Sequence, residues 1–188
     1  MTDILDLIAK NRSFRRFSGE RRPTHGELLK MIEAARLSAS AGNLQRLLFT
    51  PVTSDADCRA TLENLAFAAY FGSWRPAEDE VPGAYIVLWS ATEPDTNLAI
   101  DAGIAAQSIL LTARQMGFGG CMFRSIKKEA LTAALGKSPY VPVLVIALGL
   151  PKEQVVITDV GEDGSIKYFR DAQGTHFVPK KSLNDIIL

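Results

Sequence analysis

Apolar residues along the chain fall into two patterns, helical stripes and short unbroken runs, and the two predict helices and strands in mixed order. Ile4, Leu7 and Ile8 share one face behind Asp3, a residue suited to an N-cap, so a short helix is expected to end near Asn11. Arg12 to Gly19 has no stripe and reads as an extended connection. Thr24 and Glu27 have the spacing of a capping box, and Leu28, Ile32 and Ala35 follow at helical spacing. That helix should stop within the small residues Ser38 to Asn43, which favour turns. Leu47 to Thr53 reads as a strand. Ser54 opens a third helix, with Cys58, Leu62, Leu65 and Ala69 on one face.

Gly72 to Gly83, rich in proline, glycine and acids, is expected to be an exposed loop. Ala84 to Ser90 is a buried strand by its continuous β-branched and aromatic run. Leu98 to Met116 is a helix apolar nearly all round, which must be covered on most sides, and Gly117 is placed to end it. Gly117 to Met122 reads as a tight turn between helices, Ser125 to Leu135 as another helix ended by Gly136, and Val141 to Leu148 as a second buried strand. Turns at Asp163-Gly164 and near Gly174 suggest a small β-meander. No regular βαβ repeat emerges, so the fold class is α+β. The expected organisation is one domain over residues 1–188, with the meander and a tail from about 155 to 188.

Composition narrows the function. The 188 residues are 47% hydrophobic and 22% charged, ordinary for a globular chain. Lys and Arg total 21, as do Asp and Glu, and the zero net charge excludes a generally basic nucleic-acid binder or a polybasic membrane protein. Any anion site must then be a local cluster. Two cysteines, Cys58 and Cys121, are too few for a disulfide scaffold and lack metal-ligand spacing, which points to a reducing, cytoplasmic compartment. The first residues carry Asp3 and Asp6 and no long apolar run, unlike a signal peptide. Asp101, Gln107 and Arg114 in the longest apolar stretch argue for a buried helix and against a membrane span.

Three segments carry candidate chemistry. Arg12, Arg15 and Arg16 around Ser13 can bind a phosphate, since guanidinium forks match phosphate oxygens, although a solvated basic loop has the same composition. Phe14 and Phe17 alternate with these charges and should pack the segment on the body. Ser38 to Gln45 offers small residues for close ligand approach and directional donors, or simply a helix end and turn. Gly117 to Met122 allows close backbone approach to a cofactor but is not a dinucleotide fingerprint. Cys121 has neither His25 nor His176 near it in sequence and reads as structural. Two histidines without a carboxylate grouping make a catalytic metal a poor fit. Asp101 reads as a packed or capping carboxylate, not a general base.

Together these segments resemble the nitroreductase family of flavin mononucleotide (FMN) oxidoreductases. The likeness runs from Asn11-Arg12-Ser13-Phe14-Arg15-Arg16-Phe17, through Ser38 to Gln45 and the Asp101–Gly117 helix, to Gly119-Gly120-Cys121, and closes at Val178-Pro179-Lys180-Lys181-Ser182-Leu183. The resemblance implies a central, mostly antiparallel sheet flanked by helices. It implies that Arg12, Ser13 and Arg15, with Phe14 in the same stretch, hold the FMN phosphate, and that Lys180 and Lys181 return to it. Ser40, Ala41, Asn43 and Gln45 would lie along the flavin. Met122, Phe123, Arg124 and Ser125 would offer backbone amides near the reactive edge of the ring. It further implies a homodimer with shared sites, NADH or NADPH as hydride donor, and a small electron-poor acceptor such as a nitroaromatic or quinone, in a ping-pong cycle without nucleic acid or membrane. A flavin-storing or sensing protein, or a specialised dehalogenation or ring dehydrogenation, are the alternatives. Three residues depart from the family pattern: Arg46 stands where proline is common, Arg124 where glycine is, and Asn11 where another arginine is.

Overall fold

The computed structural model describes residues 3–67 and 74–188. Helix α1 (Ile4–Lys10) starts at Asp3 and ends at Asn11, as its stripe predicts. The extended segment after it contains the two-residue strand β1 (Phe17–Ser18). Helix α2 (His25–Arg36) begins at a complete capping box, in which Glu27 accepts the Thr24 N–H and Thr24 Oγ1 accepts the Glu27 N–H. Strand β2 (Leu48–Val52) follows, then helix α3 (Asp55–Glu63), capped by Ser54.

Helix α3 is shorter than its apolar stripe suggests. Leu65 has left the helix to bridge Ile126, and the Ala66 N–H donates to the Ser125 carbonyl at 3.1 Å. Pairing with a distant segment therefore takes the chain from the helix; Ala69, expected on its face, lies outside the described residues. So do Gly72 and Ser73 of the expected loop. The rest of that loop is not wholly exposed, because Glu80 is buried at the end of a 3-10 turn.

Strand β3 (Ala84–Ser90) is buried at every position. Helix α4 (Thr96–Gln115) is capped by Asp95, whose carboxylate accepts the Leu98 N–H at 2.8 Å, and Gly117 just past its end has φ +86°. Strand β4 (Gly119–Phe123), helix α5 (Lys128–Ala134) and the long strand β5 (Val141–Pro151) complete the body.

The main sheet runs β1-β5-β3-β2, with β4 also paired to β5, and every pair is antiparallel. Its two faces explain the unbroken apolar runs. Ile86, Leu88, Ile146 and Leu148 pack against α2 and α4, whereas Tyr85, Val87, Val145 and Ala147 pack against Cys58, Leu65 and Leu131 on the other side. A sheet covered by helices on both faces has no polar positions to alternate, whatever the direction of its strands.

Two sequence expectations are corrected. Gly119 to Phe123 is a strand, not a tight interhelical turn. A Cβ on Gly119 would overlap the Phe14 and Pro151 rings, and one on Gly120 would overlap the Ala147 carbonyl, so the glycines mark close packing against neighbours. The strands after residue 155 are also no meander. Strands β6 (Val155–Asp159), β7 (Phe169–Arg170) and β8 (His176–Lys180) lie in the order β6-β8-β7, with β6 and β8 parallel. The expected turns exist, with Gly164 and Gly174 at positive φ, but turns do not specify which strands become neighbours.

The helix expected to be apolar all round divides into two faces. Ala102, Ala105 and Ala106 lie in the chain's own core, where they let α2 approach, and are not free for a second subunit. Ile100 and Ile104 on the opposite face are 56% and 38% exposed, and only Ala99 and Gly103 of the small residues lie there with them.

Candidate functional site

The arginine-rich segment runs alongside β4. Ser13 bridges Gly120 in parallel, and the Phe14 N–H donates to the Gly120 carbonyl at 3.0 Å. Phe14 and Phe17 are both buried, so the alternation seen in the sequence turns their rings into the body. Phe14 can therefore offer a ligand nothing but main chain. Ser13 and Arg15 are left facing a pocket of about 310 Å³.

Arg12, Ser13, Arg15 and Lys180 line that pocket, with Met122 from β4 and Gln107 from α4. Arg12 donates through Nη2 to the Ile8 carbonyl at the end of α1, at 2.9 Å, while its Nε is buried without a partner. Burial pushes the Arg12 pKa below its ordinary value, the expected effect of partly desolvating a cation without supplying an anion. Arg15 donates to the Ser13 carbonyl at 3.3 Å and holds its guanidinium 5.1 Å from the Tyr168 ring centroid. Arg16 turns elsewhere, making a two-pronged pair with Glu80 at 2.6 Å. Lys181 is exposed and outside the pocket lining. Three cations thus converge in a chain of zero net charge, an arrangement suited to a phosphate.

The serine-rich turn forms a second pocket, of about 250 Å³, between α2, α4 and β2. Ser40 and Gln45 line it, along with Arg46 and Asp101. Gly42, Asn43 and Gln45 all have φ between +50° and +56°. For Asn43 and Gln45 such a conformation costs roughly 1–3 kcal/mol each, so the surroundings must impose it. The Ala41 N–H donates to Asp101 Oδ1, and the Ser38 and Ser108 hydroxyls meet at 2.7 Å. Arg46 binds Asp95 through both Nη atoms at 2.7 and 2.9 Å. That pair and the Leu98 N–H hold Asp95 down to about 2, and they anchor the turn to the start of α4. Asp101 is thus a capping carboxylate, as the sequence suggests; its Oδ2 is buried without a partner.

Beyond the glycines, Met122 is half-exposed and Phe123 is buried, its ring 4.6 Å from that of Phe67. Arg124 and Ser125 are exposed. Cys121 is buried, and desolvation pushes its thiol above the ordinary range, which suits a structural residue. One chain brings Arg12, Ser13, Arg15, Met122 and Lys180 together, and Ser40 and Gln45 separately. Gln107 and Leu110 of α4 face the first pocket, Asp101 and Ala105 the second. Tyr168, His176 and Gln107 line the first pocket and were not anticipated. Gln107 is a polar residue on an apolar helix, a signal that could have been used; Tyr168, just before β7, and His176, at the start of β8, carry none.

A family model described as the nitroreductase family matches residues 8–150. No curated protein matches the sequence. Solved structures show the same fold at low identity. A nitroreductase family protein from Clostridium novyi NT is 22% identical, with a TM-score of 0.66 over 80% of this chain and 88% of that one. An FMN-dependent nitroreductase from Clostridium difficile R20291 is 21% identical, with a TM-score of 0.66 over 80% and 89%. An NADPH:FMN oxidoreductase from Vibrio harveyi, complexed with NAD+, is 22% identical, with a TM-score of 0.62 over 79% and 68%.

Proposed function

The chain belongs to the nitroreductase family, and on that premise we propose that it is an FMN-dependent oxidoreductase. The observation that carries the reading is the pocket in which Arg12, with its buried and unpartnered Nε, converges with Arg15 and Lys180 on one space. A phosphate monoester would supply the missing acceptor and neutralise the cluster. Arg12, Arg15 and Lys180 would bind its oxygens, and Ser13 would add a hydroxyl. FMN bound there would supply two-electron hydride chemistry, accepting hydride from NADH or NADPH and passing it to a nitroaromatic or quinone-like acceptor in a ping-pong cycle. The chain's own residues then need only bind, orient and exclude water. The names of the relatives from Clostridium difficile and Vibrio harveyi support both the flavin and the nicotinamide.

The working unit in this reading is a homodimer. The turn bearing Ser40 and Gln45 lines a different pocket from the phosphate cluster, so a second copy would bring its turn to this chain's cations. Ile100 and Ile104 on the outer face of α4, and Ile4 and Ile8 on α1, offer the apolar surface for that contact. Purified protein reconstituted with FMN should be yellow and should bleach rapidly with NADH or NADPH under anaerobic conditions. Bound flavin that stays oxidised would instead indicate flavin storage.

A further inference from the structure

Both walls of the phosphate pocket meet at one side chain that does not line it. Glu153 lies two residues beyond β5, and its side chain is fully buried. Its Oε1 accepts the main-chain N–H of Arg15 at 2.5 Å and of Arg16 at 3.1 Å. Its Oε2 accepts from Arg170 Nη2 at 2.8 Å and lies 3.8 Å from His176 Nδ1. One carboxylate therefore grips the loop that carries Ser13 and Arg15, and also grips strands β7 and β8 of the small sheet. A second tie runs parallel to the first: Arg15 lies over Tyr168, whose ring meets that of His176 edge-on at 5.1 Å.

We propose that Glu153 is the positioning residue of the phosphate site, setting the distance and angle between the Arg12–Arg15 loop and the small sheet that bears His176 and Lys180, with Tyr168 at its edge. The inference rests on the FMN reading and adds a residue that the sequence did not single out. Both loop bonds go to main-chain N–H groups, so they fix the backbone direction at Arg15 and leave its guanidinium to face the pocket. The negative charge does not spoil an anion site, because Arg170 pairs with one oxygen and the two N–H donors satisfy the other. Burial opposes its ionisation, yet the nearby His176, the Arg15 N–H and the charge of Arg170 hold its carboxyl below the usual range. The charge is thus maintained at neutral pH and the grip on both walls persists.

The test compares FMN with riboflavin, which lacks the phosphate, in fluorescence titrations of the full-length apoprotein. Native protein should prefer FMN. Glu153→Ala should weaken FMN binding at least about tenfold, the scale of a lost charge-assisted contact, and leave riboflavin within about twofold. Glu153→Gln keeps an acceptor for the two loop N–H groups but turns a donor towards Arg170, so it should recover only part of the preference. Should Glu153→Ala not fold, Glu153→Asp, one methylene too short to span both walls, should show the same selective loss. Equal weakening of FMN and riboflavin, or an unchanged FMN preference in the Ala or Asp variant, would overturn the positioning role. Native protein that binds FMN no better than riboflavin would overturn the phosphate site itself, and the inference with it.

Discussion

Asp101 Oδ1 accepts the main-chain N–H of Ala41 at 2.8 Å, joining the second turn of α4 to a turn 60 residues earlier in the chain. Asn43 and Gln45 in that turn are held at positive φ, so the carboxylate helps impose a conformation the local sequence disfavours. Asp101→Ala leaves a part-buried N–H without its acceptor and should cost about 1 kcal/mol in urea unfolding. Asp101→Asn, whose amide oxygen can still accept, should cost less. Equal losses in the two variants would show that the bond is not what holds the turn.

The neighbouring arginines separate by role. Arg12→Ala and Arg15→Ala should each weaken FMN binding at least about tenfold, since both line the pocket and a contact to a charged group contributes roughly 1.5–3 kcal/mol. Arg16→Ala should leave FMN affinity nearly unchanged and lower the melting temperature, because Arg16 is committed to Glu80. Isothermal titration beside thermal melts distinguishes the two classes. Unchanged FMN affinity in an Arg12, Arg15 double variant would sink the phosphate assignment.

Glu80 predicts an acid dependence. Its bonds to Arg16 and Lys152 hold its carboxyl down to about 2, from an ordinary 4.5. The folded pKa lies below the unfolded one, so the stabilisation is fully present above about 4.5 and is lost as pH falls towards 2. Glu80→Gln should be less stable than native protein at pH 6, with the difference shrinking between pH 4.5 and 2. A difference constant across that range, measured by urea unfolding, would show that the pair does not link stability to pH.

The outer face of α4 tests the dimer. Ile104→Glu places a charge on the exposed apolar face and should give a folded monomer in sedimentation, with FMN affinity lost alongside association if the site is shared. A variant that remains dimeric and keeps its FMN would place the interface elsewhere.

What the sequence determined by itself was the local part of the molecule. Thr24 with Glu27, and Ser54, mark helix starts because capping bonds close within three residues. Ala84 to Ser90 announces a strand because burial on both faces leaves no room for polar positions. The resemblance in Arg12 to Phe17 and Ser38 to Gln45 was legible for the same reason, as each candidate segment is short and contiguous. Tertiary structure decided what distant partners impose. Gly119 and Gly120 look like a turn until Phe14 and the Ala147 carbonyl occupy the space their side chains would need. The small sheet places β8 between β6 and β7, a choice made by packing and not by turn residues. Arg16 reads like its neighbours until Glu80, 64 residues away, captures it. Glu153 carries no signal at all, since a carboxylate just past a strand looks like surface until Arg15, Arg16 and Arg170 close around it. Hydrogen bonds and charges act over a few ångströms in space, and the sequence records neighbours only along the chain.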